Sequence, residues 1–72
     1  MEILDSARKH SVADDDIRHA VDQAIRHHDL DDGLVMLIGP STTGDLIEVG
    51  IVTAAASEPK IVHAMPARAK FL

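Results

Sequence analysis

The 72 residues include no cysteine, no tryptophan and no tyrosine, and Phe71 is the single phenylalanine. Without cysteine the chain can form neither disulfides nor thiolate chemistry, which fits a reducing compartment. Without aromatic rings it has almost no platform on which unpaired bases stack. The formal net charge of −5 is the opposite of the basic footprint that nucleic-acid binders carry. No stretch approaches the roughly 20 apolar residues of a membrane span. The opening "MEILDSARKH" shows neither the basic start nor the apolar run of a signal peptide. The expectation is one soluble cytoplasmic domain, residues 1–72.

A chain this short buries only about 60% of its unfolded surface, so an added partner is expected to supply stability. Its charge is also divided. Asp14, Asp15, Asp16, Asp22, Asp29, Asp31 and Asp32 face only Arg18 and Arg26 between positions 13 and 32. From Pro59 onward there is no acid, only Lys60, Arg68 and Lys70.

Periodicity predicts the elements. Ile3, Leu4 and Ala7 at helical spacing, followed by Arg8 and Lys9, predict a helix over Glu2–His10. Ile17, Ala20, Val21, Ala24, Ile25 and His28 form an apolar stripe that predicts a second helix over roughly residues 13 to 29. Its first turn holds Asp14, Asp15 and Asp16, with Ser11 at capping-box spacing, and Gly33 is its stop. After Gly33 the period changes to that of strands: "LVMLIG", "LIEVGIVTA" and "KIVHAM", separated by "PSTTGD" and "ASEP". The expected fold is α+β, two N-terminal helices packed on a three-stranded antiparallel β-meander. With Leu72 close behind the third strand, no further helix is expected to cover the sheet, and the apolar strand "LVMLI" is expected to leave an open edge.

"GPSTTG" has the outline of a phosphate loop, but Asp45 stands where such a loop needs lysine, so it reads as a hairpin turn. The five histidines raise the question of a metal. Asp15, His19, Asp22 and His27 share the helical half, yet a zinc site needs three or four convergent ligands. No metal and no cofactor is expected. His63 is different. Ile61, His63 and Met65 alternate onto one face of the last strand, Glu48 lies on the adjacent strand, and Arg68 and Lys70 follow the strand end. A histidine, a carboxylate and two cations are the parts required to cut RNA by proton transfer and phosphorane stabilisation.

Three segments, "ARKHSVADDDIRHAVDQAI", "MLIGPSTTGDLIEVGIV" and "IVHAMPARAKFL", resemble the BrnT-type toxins of the RelE-like ribonuclease superfamily. The shared frame is a Lys-His-Gly-Val-like junction (here Lys9-His10-Ser11-Val12), a strand ending in Ile38-Gly39, a Gly44-x-Leu46 hairpin entry and a close at Ala67-Arg68. The chain departs from that frame at Pro40, where an arginine is common, and at Val62–Met65, where Ile-Ser-Ala-Arg is common. The resemblance implies a cytoplasmic toxin of a bacterial toxin–antitoxin pair, cleaving mRNA without metal. Its partner would be a small antitoxin, often with a ribbon-helix-helix DNA-binding end. In that reading His63 is general acid or base, Arg68 and Lys70 hold phosphate, and Glu48 orients or accepts a proton. A homodimer or a toxin–antitoxin complex is expected. The alternative is a catalytically inactive interaction or regulatory module on the same scaffold.

Overall fold

The apolar run after Gly33 is the middle of the molecule in a computed structural model that describes residues 1–53 and 58–72. Leu34–Pro40 forms β3, Leu46–Val52 forms β4 and Lys60–Pro66 forms β5, each paired antiparallel with the next. The change of period after Gly33 anticipates all three. They are nevertheless only part of the sheet, whose order is β1-β5-β4-β3-β2, with β1 at Glu2–Ile3 and β2 at Arg26–Asp29. β1 runs parallel to β5, and β2 runs antiparallel to β3. One α-helix, α1 at Asp14–Asp22, is present among the described residues. The fold is therefore one helix on a five-stranded mixed sheet, which overturns two helices on a three-stranded antiparallel meander.

Each correction has a local cause. Ile3 and Ala7 are both buried as the first stripe predicts, but a two-residue strand followed by a 3-10 turn at Asp5–Arg8 delivers them to the same core. An i, i+4 apolar pair does not distinguish these arrangements, and a helix of nine residues gains little on its own. The Leu4 N–H donates to the Ile61 carbonyl (2.9 Å), so β5 supplies partners that a helix would have supplied internally.

The second stripe overshoots. Helical bonding ends when the Gln23 N–H reaches the His19 carbonyl (2.9 Å), and by Ile25 the backbone donates to Ile38 of β3 instead (2.7 Å). The outer edge of β3 would otherwise expose a row of unpaired backbone groups, and residues 26–29 fill it. Ile25, read as part of the stripe, is 64% exposed. Gly33, read as a helix stop, ends the Asp31–Gly33 turn joining β2 to β3, with Asp32 and Gly33 both at positive φ. Asp-Gly serves a hairpin turn as readily as a helix end.

The strands' two faces are filled differently. On one, Ile47, Val49, Ile51, Ile61 and Ala64 pack against Ile17 and Ala20 of α1 and against Ile3 and Ala7. A bulge alters β5: Ile61 pairs with Ile51 but His63 pairs with Gly50, leaving Val62 as the extra residue. Ile61 and His63 consequently lie on opposite faces, where simple alternation puts them on one. On the second face, Met36 and Ile38 meet Phe71 from the tail, with Ala67 beside them. The Ala67 N–H donates to the Leu46 carbonyl (3.1 Å), and Ala69–Phe71 makes a 3-10 turn that folds back over the sheet. The tail thus covers part of the surface expected to be bare, and β2 covers the edge expected to be open. The outermost strands are short, and β2 reads Arg-His-His-Asp, which blunts strand-to-strand association. No helix is long and apolar enough to cross a membrane among the described residues. Ala56 and Ser57 of the turn expected over "ASEP", and the continuation of β4 to Ala54, fall within residues 54–57, outside those described.

α1 sits on β3 where Gly39 has no side chain. A Cβ there would collide with the Ala20 carbonyl oxygen, backbone against backbone. Gly39→Ala is expected to cost about 3 kcal/mol, the upper end for overpacking, and to lower the thermal midpoint by more than about 10 °C. A calorimetric midpoint within a few degrees of the parent would show that the helix does not depend on this contact.

Candidate functional site: a buried carboxylate held by the tail

Glu48 is central in β4, paired with Ile38 on one side and Met65 on the other. Alternation turns its side chain to the second face, where it has 0% exposure. An isolated buried carboxylate is costly unless it is charge-paired and hydrogen-bonded. Here every lone-pair direction is used. Oε1 accepts from the Arg68 backbone N–H (2.9 Å) and Nε (3.0 Å). Oε2 accepts from Arg68 Nη2 (2.7 Å), from Nε (3.2 Å) and from His63 Nε2 (2.8 Å). Burial pushes the carboxyl's pKa up, but the Arg68 side chain and backbone and the His63 ring outweigh it and bring the value down to about 2. Since that is below its ordinary 4.5, the ionisation stabilises the fold above pH 4.5, and the contribution disappears as pH falls toward about 2.

His63 reaches this carboxylate because its cross-strand neighbour is Gly50. A Cβ at Gly50 would approach the His63 Cβ to 3.0 Å, so glycine keeps that lane open for the ring. A carboxylate only accepts, so Nε2 carries the proton and Nδ1 of the neutral ring keeps its lone pair. The His63 side chain is 27% exposed, open to solvent beside a fully enclosed partner.

Arg68 turns its Nε and Nη2 fork inward, and Nη1 has no protein partner among the described residues. Its guanidinium lies 5.4 Å from the Phe71 ring centre, and the Lys70 ammonium lies 5.2 Å from the same centre. Lys70 forms no ion pair among the described residues. Of the four residues singled out in the sequence, Glu48, His63 and Arg68 are joined directly. Lys70 joins them only through Phe71.

Two residues of this surface escape sequence reasoning. The His10 ring packs edge-on against His63, centres 6.0 Å apart. His28 Nε2 donates to the Phe71 carbonyl (2.8 Å) and tilts against the Phe71 ring. Helical periodicity placed His28 on the wrong element, and His10 at a helix end. A usable signal for His10 was the Lys9-His10-Ser11-Val12 junction: Ser11 has φ 61°, the left-handed conformation that a glycine at that place would favour.

The other motifs are accounted for locally. Ser41 is buried, and its Oγ accepts from the N–H groups of Thr43 (3.3 Å) and Asp45 (3.2 Å). The Thr42 N–H and hydroxyl donate to Asp16 (2.9 and 2.6 Å). The "GPSTTG" donors therefore serve their own turn and α1. His19 Nδ1 donates to the Pro40 carbonyl (2.8 Å), and His27 Nε2 lies 2.9 Å from Asp29. No group of three or more His, Asp or Glu side chains is placed to hold a metal ion among the described residues. A hollow of about 580 Å³ between Val12, Asp16, Thr43 and Pro66, and a smaller one beside Met1 and Arg18, both exclude His63 from their lining.

Removing Arg68 strands the Glu48 charge. Arg68→Ala is expected to cost about 3 kcal/mol, the low end for breaking a buried pair because the arginine itself is half open to solvent. Glu48→Leu combined with Arg68→Met is expected to cost less than the single change, since it leaves no charge behind. Urea unfolding of both variants measures this. An Arg68→Ala loss below about 1 kcal/mol would show that the pair does not hold the tail.

No family model matches the chain, and neither a curated protein nor a solved structure matches it.

Proposed function

We propose that the chain is a metal-independent endoribonuclease of the bacterial toxin kind, acting at the exposed edge of the Glu48–His63–Arg68 cluster. The observation that carries this reading is a histidine fixed through Nε2 by a buried carboxylate that Arg68 also grips, with Nδ1 bonded to no partner among the described residues. The resemblance of the Lys9–Val12, Ile38–Gly39 and Ala67–Arg68 segments to BrnT-type toxins supports it.

In the proposed reaction His63 Nδ1 takes the proton of a ribose 2′-hydroxyl. The 2′-oxygen forms a bond to phosphorus, the bond to the 5′-oxygen breaks, and that oxygen gains a proton. The products are a 2′,3′-cyclic phosphate and a 5′-hydroxyl. Arg68, through Nη1, and Lys70 offset the charge that builds on the phosphorane. With its pKa near 2, Glu48 is suited to orient His63 and unsuited to accept a proton. The proposed partner is a small antitoxin whose segment lies over His63 and Arg68, with self-association as the other way of covering that surface. Leu46 and Leu72 remain exposed apolar side chains for either contact.

A second reading has its own support. The net charge is −5, and Arg68 already spends its fork on Glu48, which weakens the attraction for phosphate. Both features fit an inactive interaction or regulatory module. The two readings separate on induced expression in a bacterial host. The ribonuclease reading expects growth arrest, its relief by His63→Gln, and a fall in RNA cleavage of about 10²–10⁴-fold in that variant with the fold intact by circular dichroism. Arg68→Ala is not a clean test, because it unpairs Glu48. Arrest that persists in His63→Gln would remove His63 from the reaction, and no arrest by the parent would favour the interaction module.

A further inference from the structure

We infer that His10 is the second proton-transfer group of this site, a catalytic residue that protonates the leaving 5′-oxygen of an RNA phosphodiester. The inference rests on the ribonuclease reading and completes it: that reaction removes one proton and adds another at opposite ends of the phosphorane, and His63 alone accounts for the first. His10 is exposed, and its ring stands edge-on to His63 at 6.0 Å, 74° between planes. Neither of its ring nitrogens has a hydrogen-bond partner among the described residues, unlike the ring nitrogens engaged in His19, His27, His28 and His63.

Its position is built rather than incidental. The 3-10 turn before it is tied to the bulge of β5 by the Ser6 hydroxyl, which donates to the Val62 carbonyl (2.8 Å). That same bulge turns His63 to the second face. Arg8 grips Asp14 through Nε (3.0 Å) and Nη2 (2.8 Å), closing the loop that carries His10. Within it the Ser11 N–H returns to the Arg8 carbonyl (3.1 Å), and Ser11 takes up φ 61°, reversing the chain immediately after His10. One backbone irregularity therefore sets both histidines.

The proton count closes. His63 begins neutral and His10 protonated; the 2′-hydroxyl proton passes to His63 as the new P–O bond forms. The P–O5′ bond breaks with its electron pair on oxygen, and His10 delivers its proton there. No co-reactant is needed.

A leaving group that requires no proton exposes the role. The probes are an oligoribonucleotide of mixed sequence and the same oligoribonucleotide with sulfur replacing the bridging 5′-oxygen at the linkage the parent cleaves. For His10→Ala, cleavage of the oxygen linkage is expected to fall about 10²–10⁴-fold while the sulfur linkage changes less than about threefold, whereas His63→Gln loses both. His10→Asn gives the same readout if the alanine variant loses its fold by circular dichroism. Retained oxygen-linkage cleavage, or equal loss on both linkages, overturns the role of His10 while the parent's activity leaves the ribonuclease reading standing. A parent that cleaves neither linkage overturns both.

Discussion

One ionised carboxylate sits with no solvent exposure in the middle strand of the sheet, and the second face of the sheet is arranged around it. Glu48 cannot be left unpaired there, so a cation must come to it. The cation available is two residues past the end of β5 at Pro66, and bringing Arg68 to the carboxylate bends the tail back across the sheet. Phe71 then lands on Met36 and Ile38, and its carbonyl accepts from His28 of β2. A buried ion pair is weak support for net stability compared with an apolar isostere. It is strong support for a single geometry of the tail, because a displaced Arg68 leaves a stranded charge.

The same constraint links structure to chemistry. Four of the hydrogen-bonding contacts on Glu48 come from Arg68 and anchor the tail, while the fifth, from His63, fixes a tautomer. Stability and the proposed reactivity therefore share a residue. A partner that lay over the tail would touch both, which is why an antitoxin-like occupant of this patch is an economical proposal. The acidic stretch from Asp14 to Asp32 lies on α1, β2 and the turn beyond it, apart from the Arg68 and Lys70 tail.

Sequence patterning made the three central strands and the Glu48–His63–Arg68 grouping legible, because both follow from short-range rules. Alternation in "LIEVGIV" put Glu48 opposite Ile47 and Val49, and proximity in sequence put Arg68 and Lys70 behind the strand of His63. What it could not show was decided by tertiary pairing. Arg26–Asp29 carries helix-compatible residues and becomes a strand because β3 has an edge to fill. Glu2–Ile3 does so because β5 offers one. The bulge at Val62 follows no compositional signal, yet it decides which face His63 occupies and brings His10 to it. The lesson is that periodicity read from one segment misleads where another segment's unpaired backbone competes for it.

The central claim is that Glu48 is ionised and held by Arg68 and His63, and its side-chain carboxyl can be observed directly. A pH titration of the ¹³C-labelled glutamate carboxyls by nuclear magnetic resonance, assigned with Glu48→Gln, is the measurement. The account predicts that the Glu48 signal stays at its ionised position through pH 4.5 and moves only as pH approaches about 2. A midpoint at or above 4.5 would mean that burial wins over the clasp, and the geometry proposed for the tail and for His63 would be contradicted.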